Sequence, residues 1–88
     1  MAYFVVSYDL QDEKDYPELW EEMDRLKAVK CLLSMYLVEL NSTAKDVREH
    51  LSSYIDQDDR LMVIEFSKKP SYQKALAGTN NWVNPRFN

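Results

Sequence analysis

The sequence predicts an α+β fold in which two helices cover one face of a four-stranded antiparallel sheet, and three observations predict it. Residues 2–10 and 29–40 are apolar runs rich in β-branched and aromatic side chains, the composition of strands covered on both faces. Residues 16–27 and 44–55 instead carry apolar side chains at helical spacing, with charged residues between them. The whole chain is 88 residues, 45% apolar with one Gly, which suits a single small domain over 1–88 and excludes a disordered segment. A domain of this size buries only about 60 to 65% of its extended surface, so association would add useful core.

The first strand, AYFVVSYDL over 2–10, runs from apolar side chains into the carboxylate of Asp9. That position puts Asp9 at the strand's C-terminal edge, where a charge stays hydrated, and makes it a candidate site. The plainer alternative is a solvated residue opening the polar turn Gln11-Asp12-Glu13-Lys14. Asp15, Pro17 and Glu18 then read as a helix start, by capping, by tolerance of the first turn and by charge. Tyr16, Leu19, Trp20, Met23 and Leu26 form its apolar stripe, with Glu21, Glu22, Asp24 and Arg25 on the surface. Trp20 and Tyr16 pack on a sheet in this reading; a stacking platform for a base is the alternative.

Val29 to Leu40 is assigned as one strand with an apolar face and a mixed face that bears Ser34 and Tyr36. Thr43 and Asp46 form an imperfect capping box for the second helix, whose stripe is Ala44, Val47, Leu51 and Tyr54 or Ile55. His50 has no Cys or second His at ligand spacing and reads as a surface residue. Arg60 to Phe66 is the next strand, and Glu39 and Glu65 read as solvated edge charges. Ser71 to Ala77 reads as two short helical turns ended by Gly78. Residues 79–88, with Trp82, Val83 and Phe87, are expected to be ordered as an edge strand or a tail that crosses a dimer.

Strand, helix, strand, helix, strand and a weak last strand come closest to a ferredoxin-like β-α-β-β-α-β sandwich. The long strands are apolar on both faces, so a second copy packing across the open face is expected. Fifteen acidic against eleven basic residues give a net charge of −4, and the first 24 residues hold eight carboxylates and one lysine. That balance disfavours broad nucleic-acid binding. Arg60 falls among scattered basic residues of the second half, with no grouping visible in the sequence. Cys31 has no intramolecular partner, and no apolar stretch is long enough to span a bilayer, so a soluble cytoplasmic protein is expected.

Tyr8-Asp9-Leu10 ending the first strand, with Leu33-Ser34-Met35-Tyr36 in the second, resembles the superfamily of the small CRISPR-associated adaptation subunit and the virulence-associated D toxins. The likeness covers roughly residues 2 to 66 in order and spacing. Lys14-Asp15-Tyr16 after Tyr8-Asp9-Leu10 is similar to small bacterial relatives with the same YDL and KDY. The resemblance implies a ferredoxin-like protomer in a two-fold dimer, in some members a magnesium-dependent nuclease whose aspartate lies at the dimer interface. Asp9 matches that aspartate, as metal ligand and catalytic residue, and Ser34 matches the strand-two hydroxyl. The chain departs from the pattern in its acidic first helix and in lacking the Arg or Lys cluster soon after the aspartate. The reading favoured on sequence is therefore a non-enzymatic dimeric protein-interaction module with no cofactor. The alternatives are a metal-dependent endonuclease acting on RNA or DNA through Asp9, and an acidic nucleic-acid mimic that occupies a basic partner.

Overall fold

A computed structural model describes residues 1–10 and 16–87. Four strands, β1 (Ala2–Asp9), β2 (Val29–Leu32), β3 (Met35–Leu40) and β4 (Arg60–Phe66), alternate with helices α1 (Pro17–Arg25), α2 (Ala44–Ser52) and α3 (Thr79–Val83). All strand pairs are antiparallel and the sheet order is β2-β3-β1-β4. This is an α+β fold with the β-α-β-β-α-β order and a ferredoxin-like arrangement.

The strand β1 is central because both its faces are apolar. Phe4, Val6 and Tyr8 are buried beneath Leu19 and Met23 of α1 and Val47 and Leu51 of α2. Tyr3 and Val5 point the other way, into a second cluster with Cys31, Leu37, Phe66, Trp82, Val83 and Phe87. One face thus carries the two long helices, and α3 covers part of the other.

The run 29–40 is two strands where the sequence reading placed one. Leu33 and Ser34 form the turn between β2 and β3, with a register irregularity between Lys30 and Leu32. No Gly, Pro or Asn marks this turn, and its one polar residue, Ser34, falls where a strand's mixed face would place it, so the break is hidden in the pattern. This hairpin supplies the fourth strand.

Pro17 opens α1, as expected; the capping role read for Asp15 lies outside the described residues. The helix ends through paired bonds, from Lys27 N–H to the Asp24 carbonyl and from Ala28 N–H to the Met23 carbonyl, both 3.0 Å. Lys27 adopts φ 60° to make that turn, a place glycine usually fills. The Thr43 hydroxyl caps α2 by accepting from Asp46 N–H at 3.1 Å. Ser71 to Ala77 is not helical, and Gly78, at φ 95°, precedes α3 and does not end a helix. Residues 79–86 form α3 and a 3₁₀ turn (Asn84–Arg86), not an edge strand. A strand there would leave Trp82 and Val83 on opposite faces, whereas the helix buries both on this chain's own sheet. Among the described residues no helix is long and apolar enough to cross a membrane.

Candidate functional site

Asp9 is the last residue of β1 and is exposed. By strand alternation it shares a face with Tyr3, Val5 and Ser7, the face on which α3 lies. The coverage is uneven. At the start of β1, Tyr3 meets Phe87, Trp82 and Phe66 at ring separations of 4.9, 5.8 and 5.9 Å. Toward its end, Met62 and Ile64 of β4 are 62% and 51% exposed. Asp9 lies in this uncovered sector, in an open groove lined by Ser7, Tyr8, Asp9, Arg60, Leu61 and Met62.

The pairing register sets the groove's chemistry. Ser7 faces Met62 and Asp9 faces Arg60 across the β1–β4 ladder. Asp9 and Arg60 are therefore neighbours of opposite charge, and among the described residues neither makes an ion pair. Arg60 was not legible as a site residue, because only the register of two strands distant in sequence brings it beside Asp9.

The β2–β3 turn is tied to the same end of β1. Tyr8 N–H donates to the Ser34 carbonyl at 3.1 Å, and the Tyr8 hydroxyl donates to the Leu33 carbonyl at 3.3 Å. Burial, with Tyr36 and Cys31 nearby, pushes the Tyr8 phenol up to about 12, so it stays a proton donor at neutral pH. Ser34 sits in the turn and not on a strand, exposed and outside the groove's lining. The two residues singled out by sequence thus come to one end of the sheet, but only Asp9 lines the groove.

Beyond the groove, a second polar cluster lies on the helical side. Glu22, expected on the surface, is 6% exposed and accepts from Arg25 Nε at 2.7 Å, while its Oε2 contacts His50 Nε2 at 2.5 Å. The hydrogen bonds from Arg25 and then His50 hold the Glu22 carboxyl down to about 2 despite its burial. His50 is half exposed, as read, but it links α2 to α1 through Glu22. Glu39, read as a solvated edge charge, accepts from Arg86 Nε at 3.1 Å. Arg86 also covers the Trp82 ring at 4.3 Å from its centroid. On the helical face Trp20 stacks on Tyr36 with an interplanar angle of 18°, which accords with a packing role.

Among the described residues no three His, Cys, Asp or Glu side chains gather as a metal site. Among the described residues the groove offers a single carboxylate, Asp9. The model of the family described as CRISPR associated protein Cas2 matches residues 1–74, a span that takes in the four strands, both long helices, Asp9, Ser34 and Arg60. The chain belongs to the CRISPR associated protein Cas2 family.

Proposed function

We propose that the protein is a metal-dependent endonuclease acting on RNA or DNA as a two-fold dimer, with Asp9 as the metal ligand. The observation that supports this most is the family match together with the place of Asp9, exposed at the end of β1 in a groove. The uncovered apolar residues beside it, Met62 and Ile64, suit contact with a second copy, which would bring the two Asp9 carboxylates together.

A carboxylate pair fits a hard divalent cation. Mg²⁺ typically takes one or two carboxylates and keeps several waters, so a single described groove carboxylate per chain is compatible with it. When bound, such an ion activates water and neutralises charge developing on a phosphodiester. Asp9 would hold the ion, and the Tyr8 hydroxyl and amide anchor the turn that carries Ser34 to the same end of the sheet. A cytoplasmic setting belongs to this reading, supported by the lone buried thiol of Cys31.

A non-enzymatic dimeric interaction module is the second reading, favoured by the net charge of −4. Purified protein incubated with single-stranded RNA and duplex DNA, with Mg²⁺ or Mn²⁺ at low salt, separates the two. The nuclease reading expects cleavage that follows the protein through purification and falls by at least roughly 100-fold in Asp9→Asn. Equal background cleavage in both proteins would replace it with the interaction module.

A further inference from the structure

A nuclease needs positive charge where the scissile phosphate sits, and the neighbourhood of Asp9 in sequence does not supply it. Through residue 24 the chain carries eight carboxylates and only Lys14 as a cation. A polyanion approaching along that surface meets repulsion. Among the described residues, the fold brings one cation to the groove, Arg60 at the start of β4.

We infer that Arg60 is the phosphate clamp of the Asp9 groove, binding the non-bridging oxygens of a nucleic-acid phosphodiester beside the metal site. This inference rests on the nuclease reading of Asp9. Three features carry it. Arg60 is paired in register with Asp9, which puts the two Cα atoms about 5 Å apart. Strand alternation places both on the same face, and both line the same groove with Ser7 and Met62. Arg60 is exposed and, among the described residues, unpaired, so its guanidinium is open to a ligand.

The neighbouring acid does not cancel that charge at the groove. Asp59 is committed elsewhere: its Oδ1 accepts from the Tyr16 hydroxyl at 3.3 Å and its Oδ2 from Asp56 N–H at 2.8 Å. Tyr16 belongs to the core under the helices, which turns the Asp59 carboxylate toward the helical side of the sheet. A guanidinium presents a planar fork of donors that matches two phosphate oxygens, a geometry an ammonium cannot reproduce. With no Asp9–Arg60 ion pair, the carboxylate remains available to a cation and the guanidinium to an anion. In a two-fold dimer the clamp is doubled, and a strand can be gripped on both sides of the paired carboxylates.

The test uses the full chain, fluorescein-labelled single-stranded RNA and duplex DNA as probes, and four proteins: parent, Arg60→Gln, Arg60→Lys and Arg48→Gln. Affinity is measured over a salt series in Ca²⁺, and cleavage in Mg²⁺, with thermal midpoints recorded to verify folding. R60Q is expected to lose about tenfold in affinity and to flatten the salt dependence by about one ion per chain, while R60K keeps the salt slope but not the full affinity. R48Q, on α2, should match the parent. Under turnover the R60Q loss should fall mainly on KM. Parent-like affinity and salt slope in folded R60Q would overturn the clamp; if D9N still abolished cleavage, the nuclease reading would stand without it. Weakened R60Q binding with no cleavage by any protein would support the clamp and remove the nuclease reading. Failure of the parent to bind either probe would overturn both.

Discussion

Glu22 illustrates what a one-dimensional pattern hides at the scale of single residues. Its position between Glu21 and Met23 gives it the look of a surface acid, and the Arg25 contact at i+3 is readable from spacing. The His50 contact is not, since it comes from another helix. Glu22 folds into a site that holds it at about 2, below its ordinary 4.5. A folded value below the unfolded one means that its contribution is complete above about pH 4.5 and is lost as pH falls toward 2. Glu22→Gln should therefore flatten the fall of the thermal midpoint over that interval and cost about 1 kcal/mol at neutral pH, below the usual range for charged hydrogen bonds because Arg25 is exposed. Calorimetry of both proteins from neutral to acid pH checks this. Asp9 was legible because it ends an apolar run. Arg60 was not, because nothing in RLMVIEF says which residue it will face.

At the scale of elements, the sequence reading succeeded where the period was long and failed where the chain turns on a single serine inside an apolar run. Helices α1 and α2 were read from their stripes, and Leu19, Met23, Val47 and Leu51 are buried as those stripes require. The β2–β3 hairpin was missed because Leu33, 79% exposed, looks in the sequence like one more core residue. The tail, expected from the cost of exposing Trp82, Val83 and Phe87 to form an edge strand or to cross onto another subunit, folds as α3 and a 3₁₀ turn. Five residues from Thr79 to Val83 are too few to show a helical period. Its attachment is specific: Leu76 N–H donates to the Cys31 carbonyl at 2.9 Å, and Arg86 bridges Trp82 and Glu39. The buried Trp82 indole N–H has no partner among the described residues, so packing outweighs one unmade hydrogen bond there. Removing residues 79–88 should uncover Tyr3, Leu37 and Phe66, lower the thermal midpoint by roughly 10 °C or more and raise binding of an apolar dye. An unchanged midpoint would mean that the segment adds nothing to the folded state.

For the whole molecule, the fold class was legible because the strand and helix order leaves few arrangements that bury every apolar face. The sequence reading expected a second copy to cover the sheet's open face, and the structure divides that face between α3 and an uncovered sector beside Asp9. Association is expected through that sector. Sedimentation at micromolar concentration should give twice the 10.4 kDa chain mass, and Met62→Glu or Ile64→Glu should give monomers with near-parental folding, since both side chains are exposed in one chain. A parent that sediments as a monomer would reject this. The central position of β1 has another consequence, which concerns birth and not function. The strand made first pairs with β3 and β4, so Tyr3 must wait for Phe66 before its ladder is complete. While the ribosome is still translating, the apolar segment YFVV has no finished sheet to enter, and the β2–β3 hairpin is the only strand pair that local contacts can close early. Nascent chains stalled before β4 emerges should thus be the species most prone to chaperone capture, and late codons, not early ones, decide when this small protein becomes safe in solution.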